Sequence, residues 1–456
     1  MAFCGAPAAW GGATPLRASW TTGARPAVTL RAASSRQTAR ATVSMVATSK
    51  NEPNAAVSSK VEALYDSYPF PPDPLIDGAP VGYNWRWHYP SAYAFCTGRA
   101  PTPLPSPLRI LDAGCGTGCG TEYLVHLNPT AAVTGIDLSA GALAVAKDRL
   151  TRSVGQEGLA RTTFEHRSIF DVEDLPGTGF DHINCVGVVH HTPDPLRAVR
   201  ALASKLNDGG ILHLFVYASH GRWEISLMQQ AISLLQPERG GKTVDYKEGV
   251  RIGRELFDKL PEDNRLVKRE VNRWSQENKR DATFADMYVH PREVDYDIVT
   301  LFEMIDASGL DFLGFSNPGN FDLARILGNA PELLERARAL PEREQYRLVE
   351  LLDPESVTHF EFFLGKGVSV SSWEDDEALL AAKVSLSECT HGWPAMFLFD
   401  RDYMPVELSE ADHKFLTVAV DGKGGATVKE AVAASGLGLD VVRELRRKAV
   451  IVLAES

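Results

Sequence analysis

The segment ILDAGCGTG contains an apolar run, Asp112 and three alternate glycines, Gly114, Gly116 and Gly118. Glycine is needed where the backbone takes unusual angles or where a ligand approaches the main chain closely. At the carboxyl end of the first strand of a parallel sheet, such a loop binds nucleotides. The dinucleotide pattern G-x-G-x-x-G would place its third glycine at the position of Cys119, and no Gly-Lys-Ser/Thr follows for a phosphate loop. The spacing therefore predicts a ligand that contains an adenosine but no pyrophosphate.

Asp137 lies in the segment GIDLS, nineteen residues after Gly118 and at the end of the second predicted strand. An acidic side chain at this place accepts hydrogen bonds from both hydroxyls of a ribose. An aspartate after a strand can also cap a helix, but Ser139 is available for that role here. We therefore predict that Asp137 binds the ribose of the same adenosine.

Two adjacent histidines, His190 and His191, end the apolar run of GVVHHTPDP. Three roles suit them: metal ligands, a catalytic base with a neighbour, or the polar end of a buried strand. Adjacent residues of a strand point to opposite faces of the sheet, so the pair is poorly placed to bind one metal ion. No H-x-x-x-H or H-E-x-x-H pattern surrounds them. We predict no metal site, and these observations leave the other two roles open.

Strands and helices alternate from Leu108 onwards. The segments TEYLVHL, LSAGALAVAKDRL and PLRAVRALASKL have helical periodicity, whereas the apolar segments between them are typical of strands. This alternation implies right-handed crossovers and a largely parallel sheet covered on both faces. The predicted fold class is α/β, with a seven-stranded, mostly parallel sheet whose strands are LRILDAG, AVTGID, TTFEHRSI, FDHINCVGVV, ILHLFVY, the end of DIVTLFEMIDASGLDFLGFSN and HFEFFLGKGV.

Two capping boxes, Ser59 to Glu62 and Thr427 to Glu430, predict where helices begin before and after the sheet. The aromatic segment GYNWRWHYP precedes the first strand, and we expect it to form a lid. The predicted regions are a leader at 1–50, an N-terminal helix and aromatic lid segment at 51–105, the sheet domain at 106–368 with helical insertions at 217–296 and 321–353, and a C-terminal domain at 369–456.

The C-terminal domain reads as helix, turn, helix and strand, which resembles a winged-helix module. From Glu407 to the end there are seven basic and eight acidic residues, whereas a DNA reader shows a basic excess. We therefore expect a dimerisation or regulatory domain, with a homodimer as the candidate assembly.

The first fifty residues contain five arginines, one lysine and no acid, with many Ala, Ser and Thr residues. This composition is typical of an organelle transit peptide, although an ordinary disordered tail has similar features. Pro and Gly interrupt any amphipathic helix in it, which favours a plastid over a mitochondrion. Without residues 1–51 the net charge changes from −12 to −18, because 41 bases remain against 59 acids.

The negative charge argues against nucleic acid and anionic lipid as partners. No apolar stretch approaches the ~20 residues that a membrane-spanning helix needs, so we expect no membrane span. The six cysteines are scattered without a C-x-x-C pair, which indicates free thiols in a reducing compartment and neither a zinc site nor a disulfide framework.

The glycine loop, Asp137 and GVVHHTPDP occur in order on successive predicted strands. Together they resemble the class I S-adenosylmethionine-dependent methyltransferases, which have a Rossmann-like fold, most strongly over residues 106–217. The resemblance implies S-adenosylmethionine as the cofactor. In SIFD, Ser168 replaces the acid that is usual in this family, so the implied contact to the adenine amino group comes from the backbone of Ile169. The implied cofactor-binding residues are Asp112, Gly114, Gly116, Gly118, Asp137, Leu138, Ser168, Ile169 and Val186.

The resemblance also implies that one imidazole of the histidine pair faces the substrate cavity as a candidate base, while the other anchors the loop. We assign His190 to the cavity, with His191 and Tyr217 as the other candidate catalytic residues. The enzyme then has to align a nucleophile and remove its proton. We predict a methyltransferase with a small-molecule acceptor. The alternatives are a protein or RNA acceptor and a non-catalytic regulator that binds the cofactor.

Overall fold

The computed structural model describes residues 54–236, 245–420 and 426–455. The leader predicted at 1–50 lies outside the described residues. No helix within the described ranges is both long enough and apolar enough to cross a membrane.

One seven-stranded sheet forms the centre of the molecule and confirms the predicted α/β fold class. Its spatial order is β3-β2-β1-β4-β5-β7-β6, and only β7 runs antiparallel to its neighbours. The order reverses between β1 and β4, which is where sheets of this type bind ligands at their carboxyl edge. The strands are β1 Arg109–Ala113, β2 Ala132–Asp137, β3 Thr162–His166, β4 Phe180–Val186, β5 Leu206–Tyr217, β6 Asp311–Phe315 and β7 His359–Gly365.

Helices connect the strands and form two insertions and the C-terminal region. In chain order they are α1 Asn54–Ser67, α2 Tyr89–Thr97, α3 Cys119–Leu127, α4 Ala140–Ser153, α5 Gly155–Ala160, α6 Pro195–Lys205, α7 Ser219–Leu235, α8 Tyr246–Lys259, α9 Arg265–Arg269, α10 Asp281–Tyr288, α11 Ile298–Ser308, α12 Leu323–Leu327, α13 Pro331–Arg338, α14 Glu342–Leu352, α15 Asp376–Ala381, α16 Glu410–Val420, α17 Val428–Ser435 and α18 Leu439–Arg447.

Side chains that alternate along the strands supply a core on each face of the sheet. On β1, Ile110 belongs to the core on the α3 side and Leu111 to the core on the α6 side, and both are fully buried. Such strands read as continuous apolar runs because both faces are covered. The polar residues at the strand ends are therefore exceptions that need partners.

Local capping signals explain some helix starts but not all. Ser139 accepts a hydrogen bond from the backbone N–H of Ala142 and caps α4, and Thr427 with Glu430 forms the predicted capping box of α17. The start predicted from Ser59 is wrong, because α1 begins at Asn54 and Ser59 lies inside the helix. The burial of Val57, one turn before Val61, is consistent with this longer helix.

The α7 to α10 insertion and the C-terminal region each have a core of their own. Trp274 and Phe284 are buried among α7, α8 and α10, together with Leu64 of α1. In the C-terminal region, β8 Lys383–Leu386 pairs antiparallel with β11 Ile451–Ala454, and β9 Phe397–Phe399 pairs with β10 Pro405–Glu407. The winged-helix-like assignment of this region stays a prediction.

A chain of polar side chains crosses the middle of the sheet. Asn184 donates to Asp112 Oδ1 at 2.8 Å and accepts from His213 Nδ1 at 2.9 Å, while His213 Nε2 lies 3.2 Å from Glu361 Oε1. Arg86 Nε is 2.8 Å from the other Glu361 oxygen. Burial lowers the pKa of His213 and outweighs the opposing effect of Glu361. Both ring nitrogens nevertheless face oxygen acceptors, so we assign the doubly protonated form.

Burial would raise the pKa of Glu361, but Arg86, His213 and Ser316 outweigh it and hold that pKa well below its usual range. We expect Glu361→Gln to destabilise the protein by ~3 kcal/mol at neutral pH, because it leaves the Arg86 and His213 charges unbalanced. Because the pKa of Glu361 is lower in the folded state than in the unfolded state, the ionised carboxylate stabilises the fold above pH ~4.3. This stabilisation is lost as the pH falls toward the pKa of the folded state. Urea unfolding from neutral pH down to about pH 3 measures both effects.

The exposed Glu332→Gln is the matched control and should unfold like the wild type at every pH. Equal unfolding free energies for wild type and Glu361→Gln at neutral pH would contradict this account of the network.

Candidate functional site

The glycine loop connects β1 to α3 at the carboxyl edge of the sheet. Gly116 has a φ of +53°, and a Cβ there would lie 2.4 Å from the carbonyl oxygen of Phe70. Gly118 has a φ of +80°, and its Cβ would lie 2.8 Å from the Cβ of Ala146 on α4. Gly114 and Gly116 line a large cavity, but Gly118 does not. The predicted cofactor contact of Gly118 is therefore corrected: this glycine allows close packing of the loop on α4.

The segment PFPPDP, residues 69–74, lies over the glycine loop, and we call it the roof. Thr117 donates through its backbone N–H to Phe70 O at 3.1 Å and through Oγ1 to Pro71 O at 2.7 Å. Arg149 of α4, which is 4% exposed, donates to the carbonyls of Asp73 and Pro74 at 2.8 and 3.1 Å. Thr117 and Arg149 thus hold the roof through its backbone carbonyls, which are acceptors that any roof sequence would provide.

The predicted aromatic lid has a different role. Of the segment GYNWRWHYP, only Trp87 lines the cavity. Tyr83 donates to the carbonyl of Cys389, and Trp85 Nε1 donates to Asp402 at 2.9 Å, so both face the C-terminal region. The cover over the cavity consists of α1 and the roof instead.

Asp137 both lines the cavity and orders its edge. Its Oδ2 accepts the N–H of Gly116 and its Oδ1 accepts the N–H of Ser139, each at 2.8 Å. Burial raises the pKa of Asp137, and these backbone hydrogen bonds oppose the shift. A carboxylate oxygen accepts more than one hydrogen bond, so two ribose hydroxyls remain compatible with these contacts.

Asp112 lines the same cavity one strand away. Thr121 Oγ1 donates to its Oδ2 at 2.6 Å, and Asn184 donates to its Oδ1. Burial raises the pKa of Asp112 to about 6, against these two hydrogen bonds. Trp87 Nε1 donates to Asn184 Oδ1 at 3.0 Å, which fixes the orientation of the amide. A carboxylate held in this way suits a cationic amino group.

The wall near Asp137 is mainly apolar and comes from three other predicted positions. Leu138, Ile169 and Val186 line the cavity, as does Ser168. The Ser168 hydroxyl accepts the N–H of Phe170 at 3.2 Å and caps the short turn that follows, so this side chain is used locally. Apolar side chains beside Asp137 suit the flat face of an adenine.

The cavity spans about 1240 Å³, including the part open to solvent. Glycines at the places of close approach, a buried carboxylate at Asp112, a partly buried one at Asp137 and an apolar wall together fit S-adenosylmethionine. Asp112 would face its amino group, Asp137 its ribose, and Leu138 with Ile169 its adenine. Among the residues that the structure describes, no group of His, Cys, Asp and Glu side chains could hold a metal ion.

The histidine pair lies after the strand and not on it. β4 ends at Val186, Gly187 has a φ of +75°, and His190 and His191 belong to a 3-10 turn. His191 lines the cavity, whereas His190 is fully buried outside it. The assignment of His190 to the cavity is therefore wrong: the pair lies on a turn, which places His191 in the cavity wall and His190 in the interior.

The environment of each histidine sets its protonation. His191 Nδ1 donates to the carbonyl of Arg292 at 2.8 Å, which leaves Nε2 as the acceptor. Burial lowers the pKa of His191 to about 4 and that of His190 well below its usual value. Both rings are therefore neutral near pH 7. The ring of His190 packs 4.4 Å from the ring of Tyr217.

Tyr217 ends β5, lines the cavity and lies under the guanidinium of Arg222, whose carbon is 3.4 Å from the ring centroid. Beside it lies Asp286 of α10, which accepts a hydrogen bond from the Tyr65 hydroxyl at 2.9 Å. Asp286 and Tyr65 both line the cavity. The sequence analysis missed Asp286, because no local motif marks it within the helical insertion.

Comparison with known proteins assigns the same class as this fold and cavity. Residues 111–212 match the family model of a methyltransferase domain. PKMT2 from Rickettsia typhi, solved in complex with AdoHcy, shares the fold with a TM-score of 0.53 over 82% of this chain and 77% of that chain, at 14% identity. The chain contains a class I S-adenosylmethionine-dependent methyltransferase domain, as predicted, and S-adenosylmethionine is its cofactor.

A cyanobacterial relative defines the family more narrowly. The uncharacterized protein syc1184_c of Synechococcus sp. (strain ATCC 27144 / PCC 6301 / SAUG 1402/1) is 55% identical over 404 residues, which are 88% of this chain and 94% of that protein. The chain belongs to the family of that protein. A ubiquinone biosynthesis O-methyltransferase of Xanthomonas campestris pv. campestris (strain B100) is 37% identical over 107 residues, 23% of this chain and 41% of that protein.

We expect Gly116→Ala to weaken S-adenosylmethionine binding at least tenfold. The added Cβ has to displace the Phe70 carbonyl, and it also forces a side chain into a left-handed backbone conformation that costs ~1–2 kcal/mol. Isothermal titration calorimetry measures the dissociation constant. Gly155→Ala is the matched control: its φ is +66°, but nothing lies within 4 Å of its Cβ. Similar weakening in both variants would show that backbone strain, and not the roof, is responsible.

Proposed function

We propose that this protein transfers a methyl group from S-adenosylmethionine to a small-molecule acceptor. The observation that carries this proposal is one cavity with two different ends. Asp112 and Asp137 lie at one end, and His191, Tyr217 and Asp286 lie at the other, under a roof that is fastened to the glycine loop. The cofactor supplies an electrophilic methyl group, so the chain has to exclude water and align the nucleophile.

His191 and Tyr217 contact the acceptor in this proposal. The Nε2 lone pair of His191 accepts a hydrogen bond from it, while the bond from Nδ1 to the Arg292 carbonyl fixes the ring. With a pKa of about 4, His191 is too weak a base to retain a proton at neutral pH. Its role is to orient the acceptor, and His190 supports it from behind.

A small acceptor is favoured because α1, the roof and the α7 to α10 insertion contribute Tyr65, Phe70 and Asp286 to the cavity wall. A net charge of −12 opposes RNA binding. The partial relative from Xanthomonas is by its name an O-methyltransferase of ubiquinone biosynthesis, which supports a small-molecule acceptor. A protein acceptor and a non-catalytic regulator are the other outcomes of the tests below.

The proposal includes a plastid location and a homodimer. The family relative is cyanobacterial, and residues 1–50 have the composition of a transit peptide. The β9–β10 hairpin exposes Met396, Phe397, Phe399 and Met404, which supports self-association through the C-terminal region.

The direct test uses purified protein and S-adenosylmethionine carrying a labelled methyl group. We expect binding with a dissociation constant on the order of tens of micromolar or tighter. In an extract of cyanobacterial or algal cells, the label should then appear in compounds that pass an ultrafiltration membrane. Label retained with protein or RNA would refute the small-molecule acceptor. Binding without any transfer would favour the regulator.

His191→Asn tests the orienting role, because the Asn amide can still donate to the Arg292 carbonyl but has no equivalent of Nε2. We expect unchanged S-adenosylmethionine binding and transfer that is slower by about tenfold or more, which corresponds to the loss of one substrate hydrogen bond. His413→Asn, far from the cavity in α16, is the control. If His191→Asn transfers label at the wild-type rate, this histidine does not contact the acceptor.

A further inference from the structure

Asp286 is the carboxylate in the cavity wall farthest along the chain from the methyltransferase motifs. It belongs to α10 in the helical insertion, its side chain is 5% exposed, and it lines the cavity with Tyr217 and His191. The neighbouring carboxylates Asp112 and Asp137 are each bound by two hydrogen bonds from the loop and sheet. Asp286 differs from both because the hydrogen bond that it accepts comes from a side chain of α1, Tyr65, and not from the loop or the sheet.

Among the described residues, Tyr65 alone donates a hydrogen bond to the Asp286 carboxylate, and this bond ends on Oδ1. Oδ2 is therefore available to a molecule in the cavity. Tyr65 comes from α1, which covers the cavity, so the bond also ties the cover to the insertion across 221 residues of sequence. A buried carboxylate with one oxygen fixed and one oxygen available has the geometry of a general base.

Within the part of the chain that the structure describes, the charged and titratable groups around Asp286 come from four elements. Tyr65 approaches from α1, Tyr217 from β5, Arg222 from α7, and Glu293 and His290 from the segment after α10. Burial raises the pKa of Asp286 to about 7, with Glu293 acting in the same direction and with the Tyr65 hydrogen bond and Arg222 opposing. Asp286 can therefore accept and release a proton close to neutral pH, whereas His191 cannot.

We propose that Asp286 is the general base of methyl transfer and that the acceptor atom is an oxygen or nitrogen bearing a proton. This inference rests on the proposed function and specifies its acceptor class. The acceptor donates its proton to Oδ2 of Asp286 as its lone pair forms the bond to the methyl carbon. The carbon–sulfur bond breaks at the same time, and its electron pair stays on sulfur, which becomes a neutral thioether. A thioether acceptor, whose sulfur bears no proton, has no use for this carboxylate.

Tyr65 acts in this proposal as a positioning residue. Its hydroxyl fixes Oδ1, so that Oδ2 points to the acceptor, and its hydrogen bond stabilises the ionised carboxylate. Removal of the hydroxyl should therefore raise the pKa of Asp286. Since the base has to be ionised, transfer increases as the pH rises through about 7 in the wild type. In Tyr65→Phe the same increase should occur at higher pH.

The experiment compares wild type, Asp286→Asn, Tyr65→Phe and the control Asp281→Asn, which changes an exposed carboxylate on the same helix. S-adenosylmethionine binding is measured by calorimetry, and transfer of labelled methyl to the small-molecule fraction of a cyanobacterial extract is measured across pH 5 to 9. For Asp286→Asn we expect unchanged binding, transfer reduced by ~10²–10⁴ and no increase near pH 7. Asp281→Asn should match the wild type.

Infrared difference spectra supply a measurement that does not depend on the acceptor. The carboxylic acid band of Asp286 should disappear from wild type as the pH rises through about 7, later in Tyr65→Phe, and should be missing from Asp286→Asn. If Asp286→Asn binds the cofactor and transfers label at the wild-type rate, the base is another group and the inference is overturned, while the proposed function stands. If wild type binds the cofactor but labels nothing, the proposed function fails and this inference fails with it. If Asp286→Asn does not fold, the pH shift in Tyr65→Phe decides.

Discussion

The carbonyl oxygen of Phe70 occupies the space that a side chain at position 116 would need, and the cofactor cavity depends on this contact. Thr117 adds two hydrogen bonds to the roof, and Arg149 holds it from α4. Because these bonds end on backbone carbonyls, the roof and the glycine loop fix each other. The cavity is consequently a covered space between α1, the roof and the sheet edge, and in its buried part electrostatic interactions are stronger than in water.

The carboxylates of Asp112 and Asp137 at this edge are stable because each has its own hydrogen-bond donors. Asp137 uses two backbone N–H groups, whereas Asp112 uses Thr121 and Asn184. From Asn184 the hydrogen-bond network continues to His213 on β5 and Glu361 on β7. Arg86 then pairs with Glu361. The orientation of Asp112 therefore depends on a charge balance that includes strands well outside the methyltransferase motifs.

Motifs that lie at strand ends could be predicted from the sequence because the strand itself places them. Asp112 and Asp137 both line the cavity for that reason. Gly118 could not be distinguished from Gly116, since packing against a helix and approach to a cofactor require the same residue. The prediction that His190 faces the cavity was wrong for a local reason. Gly187, with a positive φ, ends the strand before the histidine pair begins. The roof and Asp286 depend on contacts between distant segments, for which one sequence offers no periodic signal.

Burial decides which polar groups in the cavity can do acid–base chemistry. It keeps His190 and His191 neutral near pH 7, so their proximity to the cavity does not make them proton acceptors of useful strength. The same physical effect acts in the opposite direction on a carboxylate, because the charged form is the deprotonated one. Desolvation therefore removes basicity from the histidines and adds it to Asp286, whose pKa rises to about 7. Within one apolar cavity, the carboxyl group is the stronger base, and the residue types alone would have suggested the reverse.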